Sequence, residues 1–368
     1  MLSLTDHANL VIAGGFAAGI LFGWVAQRSR FCTLGALSDI VAMRDWTRMR
    51  MWGTAIGVAI LGTAILTATG TLATEQTLYG SSSLRWLAHT FGGLCFGIGM
   101  VLASGCGSKT LIRIGTGSLK ALVAALCLAI AGAATLHGLL GSWRTGFLDV
   151  IALQLPAAQD LPSLLAAVAG WHRTTTHLAL SVILGGTILG WALWTREARR
   201  GEALLGGLGV GMAVLAGWVV TAHIGHLAEH PETLQEAWLA TNTGRPESLS
   251  FIAPQAYALE LLLLWTDNSR TLSFGIACAV GTVLGAAIAA QKHHEFRIEG
   301  FRSTQDLVHH MLGGTLMGFG GVTALGCTIG QGITGIGTLA LGSLITLVAI
   351  LTGATAALHW QYHHGVSD

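Results

Sequence analysis

Nine stretches of about 20 mostly apolar residues constrain this chain more than any other feature, near 10–26, 51–70, 88–104, 119–140, 175–194, 204–223, 272–290, 308–324 and 338–357. A helix needs about 20 such residues to cross the hydrocarbon of a bilayer. Inside that layer every backbone N–H and C=O must find its partner within the protein, which a helix achieves by itself. Charge agrees with this reading. Only 10% of the 368 residues are charged and 52% are hydrophobic, with a mean hydropathy of +0.64, whereas a soluble domain carries about 25% charge. The expected fold is an all-α polytopic membrane protein with about nine transmembrane helices, forming a single membrane domain over 1–368. The first run, Leu10 to Ala26, follows Asp6 and His7 and not a basic segment, and no small-residue cleavage pattern comes after it. It reads as a retained span and not as a signal peptide. A net charge of +1 gives no sign of a nucleic-acid partner.

Between the spans lie apolar pieces too short to cross, near 32–43, 107–114, 250–264 and 328–336. Broken backbone at membrane depth is tolerated only where protein or a watery cavity shields it, so these pieces are expected to be re-entrant half-helices. Loop cations set the orientation. Thirteen Lys and Arg fall on the side reached after the first span, among them Arg28, Arg30, Arg44, Lys109 and Arg113, against five on the other. The positive-inside rule then places the N-terminus outside and the C-terminus in the cytoplasm.

The chain also repeats itself. "HTFGGLCFGIGMVLASGC" (89–106) and "HMLGGTLMGFGGVTALGC" (310–327) share nine of eighteen residues at an offset of 221, ending on Cys106 and Cys327. The same offset sets "RFCTLGALSD" (30–39) against "FIAPQAYALE" (251–260), with Asp39 on Glu260. Shared small residues for helix packing would explain part of this, but not the common Gly-Cys ending. The halves are 10–140 and 204–357, joined by a linker with one span at 141–203. With four spans on either side of one linking span, the second half enters from the opposite face. That is an inverted repeat, in which substrate is handled where broken helices meet near the midplane.

Three cysteines lie where glycine or charge interrupts an apolar run. In "LASGCGSKTLIRIGTGSL" (102–119), Cys106 is followed by Lys109 and Arg113 and flanked by Gly105 and Gly107. A cation at membrane depth must reach water, an acid or a polar path. A half-helix N-terminus beside it would aim N–H groups at an anion and activate the thiol. In "ALGCTIGQGITGIGTLALGS" (324–343), Cys327 is set among Gly326, Gly330 and Gly332 without charge, and Gln331 and Thr328 offer neutral hydrogen bonds. In "VAQRSRFCTLGALSDIVAMRDW" (25–46), Arg28 and Arg30 precede Cys32, and Asp39 falls two helical turns beyond it on one face. Asp39 and Glu260 read as structural ion-pairing acids, with Arg44 or Lys109 as candidate partners for Asp39; Arg28, Arg30 and Arg113 are further ion-pair candidates. Glycine elbows and snorkelling cations are the plain alternatives to these site readings.

Cys95, Cys127 and Cys278 sit inside apolar runs and read as small buried hydrophobes. The six cysteines show no disulfide or metal spacing, and no H-E-x-x-H, C-x-x-C or phosphate loop is present. His293-His294 and His363-His364 read as solvated pairs. No enzyme activity, metal or cofactor is therefore expected. A membrane thiol or sulfane-sulfur oxidoreductase is the alternative from another class.

"QRSRFC", "GCGSKTLIRIGTGSLKAL" and "GCTIGQGITG" closely resemble the signature segments of the YeeE/YedE family of bacterial inner-membrane sulfur transporters. The resemblance spans nearly the whole chain. It implies an hourglass-shaped permease of the inner membrane that takes thiosulfate into the cytoplasm, with Cys32, Cys106 and Cys327 passing the anion by S–H···S hydrogen bonds. It also implies a small cytoplasmic sulfur carrier of the TusA type as partner. Selenium or other sulfur species are alternative cargo, and the loops at 141–174 and 224–250 match nothing characteristic of the family.

Overall fold

The computed structural model describes residues 4–231, 233–267 and 270–363; His364 of the second histidine pair lies outside them. The chain is 71% helical. Among the described residues the strands form two short antiparallel pairs, β1 (Ser83–Leu84) with β2 (Leu153–Gln154) and β3 (His226–Leu227) with β4 (Ala237–Trp238). The helices in chain order are α1 (Leu4–Arg28), α2 (Thr33–Met43), α3 (Thr47–Ala68), α4 (Trp86–Leu102), α5 (Gly107–Gly115), α6 (Leu119–Leu136) and α7 (Leu139–Trp143). They continue with α8 (Leu161–Ala169), α9 (Arg173–Ala192), α10 (Gly201–Val219), α11 (Ala253–Leu263), α12 (Phe274–Lys292), α13 (Thr304–Thr323) and α14 (Leu341–His363).

Among the described residues eight segments are long and apolar enough to span a membrane, built on α1, α3, α4, α6, α9, α10, α12 and α14. They match eight of the nine windows read from the sequence. The ninth window, 308–324, forms the 20-residue α13, whose opening turns carry Asp306, His309 and His310 and so fall short in apolarity. The protein is an all-α, multi-pass membrane protein.

Bare backbone brings these helices together, as association in lipid requires. Gly15, Gly19 and Gly23 of α1 face the carbonyls of Phe274, Cys278 and Thr282 on α12, and a Cβ on Gly19 would come within 2.2 Å of the Cys278 oxygen. Gly97 of α4 meets Ile350 of α14 equally closely. The α4–α13 contact is reciprocal. Gly92 faces Gly320 while Gly99 faces Gly313, and each pair exchanges into the other at the offset of 221. Both helices also stop in the same way. Ser104 and Leu325 adopt left-handed backbone (φ 54° and 61°), and the next amide in each case closes on a carbonyl five residues back, Gly105 to Met100 and Gly326 to Gly321.

These contacts carry a stability prediction. Gly97→Leu drives a side chain into the Ile350 carbonyl, whereas Gly190→Leu on α9 enters open space. The first is expected to abolish the monodisperse peak in detergent chromatography and the second to leave it intact, since backbone cannot yield as a flexible side chain does.

Candidate functional site

Short elements gather at the places where the sequence breaks its apolar runs. Four are too short to cross a bilayer: α2 and α11 of 11 residues each, α5 of nine, and a π-helical turn of six at Gly330–Gly335. Each of three carries a cysteine at or just before its start. Cys32 caps α2, its Sγ accepting from the Gly35 N–H at 3.3 Å. Cys106 holds the N-cap position of α5 without a side-chain bond to its backbone, its Sγ lying 3.2 Å from the Ser108 hydroxyl. Cys327 precedes the π-turn and accepts from the Gly330 N–H at 3.4 Å. At Cys32 this is the serine-like N-cap role, which suits a thiol sulfur as a weak acceptor. All six cysteines are free.

The three thiols belong to one neighbourhood. Cys106 lies within electrostatic range of both Cys32 and Cys327. Cys106 and Cys327 are buried, 2% and 0% exposed, while Cys32 is partly open. Cys95, Cys127 and Cys278 instead lie within α4, α6 and α12, as packing residues would.

Two cavities have lining residues at or beside these thiols. The first, of about 290 Å³, is lined by Tyr79, Arg85, Arg144, Glu247, Tyr257 and Gly326 among others, so it reaches the residue before Cys327. The second, of about 510 Å³, is lined by Gln27, Arg30, Cys32, Arg48, Lys109, His294, Glu295 and Arg297. Gly275 at the start of α12 lines the first cavity, and His294 just past its end belongs to the second. The cavities therefore sit at opposite ends of a helix of 19 residues, about 28 Å long. Cys106 and Cys327 are buried and line neither cavity.

The second cavity is cationic. Arg30 leans on Glu295 at 3.7 Å, but among the described residues no carboxylate pairs with Lys109, which lies within electrostatic range of Cys32 and Cys106. The first turn of α5, Gly107 to Lys109, precedes its first intrahelical bond, from Thr110 N–H to the Cys106 carbonyl at 2.9 Å. Its leading N–H groups thus stand at Cys106 without a carbonyl of their own helix. In the first cavity Arg85 and Arg144 both donate to one oxygen of Asp149, at 3.3 and 2.7 Å. Burial pushes the nearby Glu247 carboxyl above its usual range, against the opposing pull of the Thr243 hydrogen bonds.

Ion pairs tie the charged residues of these segments to their neighbours. Asp39 is held by Arg48 at 3.2 Å, and not by Arg44 or Lys109. Arg44 ends α2 in left-handed backbone, so the chain turns sharply and returns the first turn of α3 to Asp39. Glu260 pairs with His137 (2.7 Å) and Arg270 (3.3 Å), Arg28 with Glu202 (2.7 Å), and Arg113 with Glu299 (3.6 Å). Gln331, expected to face the anion, braces its own loop. Its amide donates to the Ala324 carbonyl at 2.7 Å and accepts from Ser343 at 2.5 Å. Gly332 packs on Trp52, Gly107 on Ile252, and Gly105 on the Lys109 stem. Among the described residues no cluster of metal-ligating side chains exists.

Several participants carry no sequence signal. Tyr79 reaches the Gly330 carbonyl at 2.7 Å from a loop with no periodicity. Lys120, inside an apolar window, is only 8% exposed and pairs with the buried Asp306 at 2.7 Å. Removing one member of such a pair strands a buried charge, so Lys120→Met is expected to destabilise the protein by about 3–5 kcal/mol. A fall in thermal unfolding temperature in detergent would register it.

Comparison with known proteins now decides the family, because the model of the family described as Sulphur transport matches residues 28–356. The chain belongs to the Sulphur transport family. This is the YeeE/YedE group that the three signature segments resemble. Among its curated relatives is the thiosulfate transporter TsuA of Escherichia coli strain K12, 28% identical over 363 residues, covering 94% of both chains. Another is the thiosulfate transporter TsuA of Spirochaeta thermophila, 27% identical over 345 residues, covering 92% of this chain and 96% of that one. Both relatives are transporters, and the match takes in every cysteine-bearing break.

Proposed function

We propose that this protein imports thiosulfate across the bacterial inner membrane, from the first cavity past Cys327, Cys106 and Cys32 into the second. The observation that carries the reading is that Cys32 lines the second cavity and Gly326, next to Cys327, lines the first, with Cys106 within electrostatic range of both other thiols. Thiosulfate is a dianion with a soft terminal sulfur. A thiol offers that sulfur a weak hydrogen bond, and Cys327 stands in a segment without charge. Weak binding there favours passage over trapping. Lys109, Arg48 and the α5 N-terminus then draw the anion onward.

The proposed orientation puts the N-terminus and the first cavity outside, with the second cavity and the C-terminus in the cytoplasm. Loop cations support it, because Arg30, Arg48, Lys109 and Arg297 crowd the second cavity. The proposed inverted repeat rests on the constant 221-residue offset. That offset sets both ends of α2 within a residue of those of α11, the end of α4 on the end of α13 and the start of α6 within a residue of the start of α14, and the matching caps and reciprocal glycine contacts obey it too. The short α2, α5, α11 and π-turn then act as re-entrant pieces. A small cytoplasmic sulfur carrier of the TusA type would meet the anion at the second cavity.

Radiolabelled thiosulfate uptake into vesicles holding the purified protein tests the reading. Uptake is expected, competed by unlabelled thiosulfate far better than by sulfate or selenite. Uptake no greater than in protein-free vesicles would reject thiosulfate as cargo.

A further inference from the structure

Threonines in these helices habitually return their hydroxyl to a carbonyl one turn back: Thr54 to Arg50, Thr110 to Cys106, Thr135 to Ala131, Thr282 to Cys278 and Thr323 to Phe319. In the segment after Cys327, Thr334 donates to the Leu249 carbonyl and Thr338 to that of Gly335. Three buried threonines, Thr33, Thr63 and Thr328, leave the hydroxyl unpartnered among the described residues, and two of the three stand next to a thiol. Thr33 follows Cys32 and Thr328 follows Cys327. They are 2% and 0% exposed, and neither hydroxyl has a partner among the described residues.

An unpartnered buried O–H is costly, and valine would fill the same shape without that cost. The third thiol also has a buried hydroxyl close by, Ser108, tied to Cys106 Sγ at 3.2 Å. Each thiol is thus accompanied by a hydroxyl within two residues, and two of the three hydroxyls are unengaged.

A thio-oxyanion has two unlike ends, a soft sulfur and a set of hard oxygens. A thiol suits the first, and a hydroxyl donor suits the second far better than a thiol does. We propose that Thr33 and Thr328 form hydroxyl subsites that hold the oxygen end of a passing thio-oxyanion while Cys32 and Cys327 hold its sulfur end. This rests on the transport path above and adds a two-point recognition to it. A neutral donor offsets the oxygens' lost hydration without the grip of a cation, which a transit site needs. Recognition at both ends also disfavours an anion that offers only one of them, such as sulfide or a simple thiolate.

Initial rates of labelled thiosulfate uptake into proteoliposomes, per folded protein, test the subsites. Thr33→Val and Thr328→Val are expected to raise KM by about tenfold or more, the loss that follows when a site can no longer hydrogen-bond its substrate. Thr328→Ser keeps the hydroxyl and should stay near wild type. Thr63→Val is the control. Thr63 is also 0% exposed with an unpartnered hydroxyl, but it packs beside Gly337 and not beside a thiol, so its uptake should be unchanged. Thr328→Ala serves as a second variant should valine prevent folding. Wild-type KM in both valine variants, alongside a transport-dead Cys327→Ala, would overturn the subsites and leave the thiol path standing. A Cys327→Ala that transports normally would remove the path, and the subsites with it.

Discussion

Cys106→Ala and Cys327→Ala each abolish thiosulfate uptake, by about 100-fold or more, while Cys127→Ala on α6 leaves it at wild-type level. That is the expected result in vesicles or in cells growing on limiting thiosulfate, and it follows from position. Cys106 and Cys327 are 2% and 0% exposed, so on the proposed path an anion sheds most of its water beside them. An uncompensated anion in such a place is prohibitively costly. A thiol supplies part of the compensation, and a methyl supplies none. A factor of 100 corresponds to about 2.7 kcal/mol, a plausible loss for a transit site left without its hydrogen-bond donor. Folding should survive both changes, since alanine is smaller and costs only the sulfur's weak bonds to Ser108 or the Gly330 N–H. Cys127 contributes packing at the α6–α13 contact beside Gly314, so its loss costs stability alone. Normal uptake by Cys106→Ala or Cys327→Ala would contradict the relay.

The spans were legible because lipid leaves so little choice. A run of about 20 apolar residues has one conformation that satisfies its backbone, and the long helices fall on the expected windows. The Gly-Cys breaks were legible for the converse reason. Glycine and charge inside apolar sequence have no place in a plain span; Cys32 and Cys106 hold the N-cap positions of short helices, and Cys327 stands three residues before the π-turn. Side-chain partners were less readable. Asp39 finds Arg48 because Arg44 reverses the chain in left-handed backbone, a conformation that arginine's identity does not announce. Gln331 looked free to serve an anion until tertiary packing brought Ser343 and the Ala324 carbonyl to its amide. The first cavity was invisible for a similar reason. Tyr79, Arg144 and Glu247 come from irregular loops far apart in sequence, where no period encodes direction.

The largest purely electrostatic effect is expected at Lys109. It lines the second cavity with Arg30, Arg48 and Arg297, and no carboxylate among the described residues neutralises it. It also lies within electrostatic range of Cys32 and Cys106. At an effective dielectric of about 20, two unit charges about 6 Å apart interact by about 3 kcal/mol, and a dianion doubles this. Water and salt in an open cavity screen part of it. Lys109→Gln is therefore expected to reduce uptake by about 100-fold at low substrate, chiefly through KM. Lys109→Glu replaces attraction by repulsion and should stop transport altogether. Arg48 is already committed to Asp39, so Arg48→Gln costs both the ion pair and part of the cavity's charge. Its loss should therefore appear in stability as well as in uptake. Ionic strength separates the two readings of Lys109. If the side chain attracts the anion, raising salt weakens wild-type uptake and leaves the residual uptake of Lys109→Gln less affected. If it only snorkels to the membrane surface, Lys109→Gln transports as wild type at every salt concentration, and the proposal that the second cavity is the anion's exit falls with it.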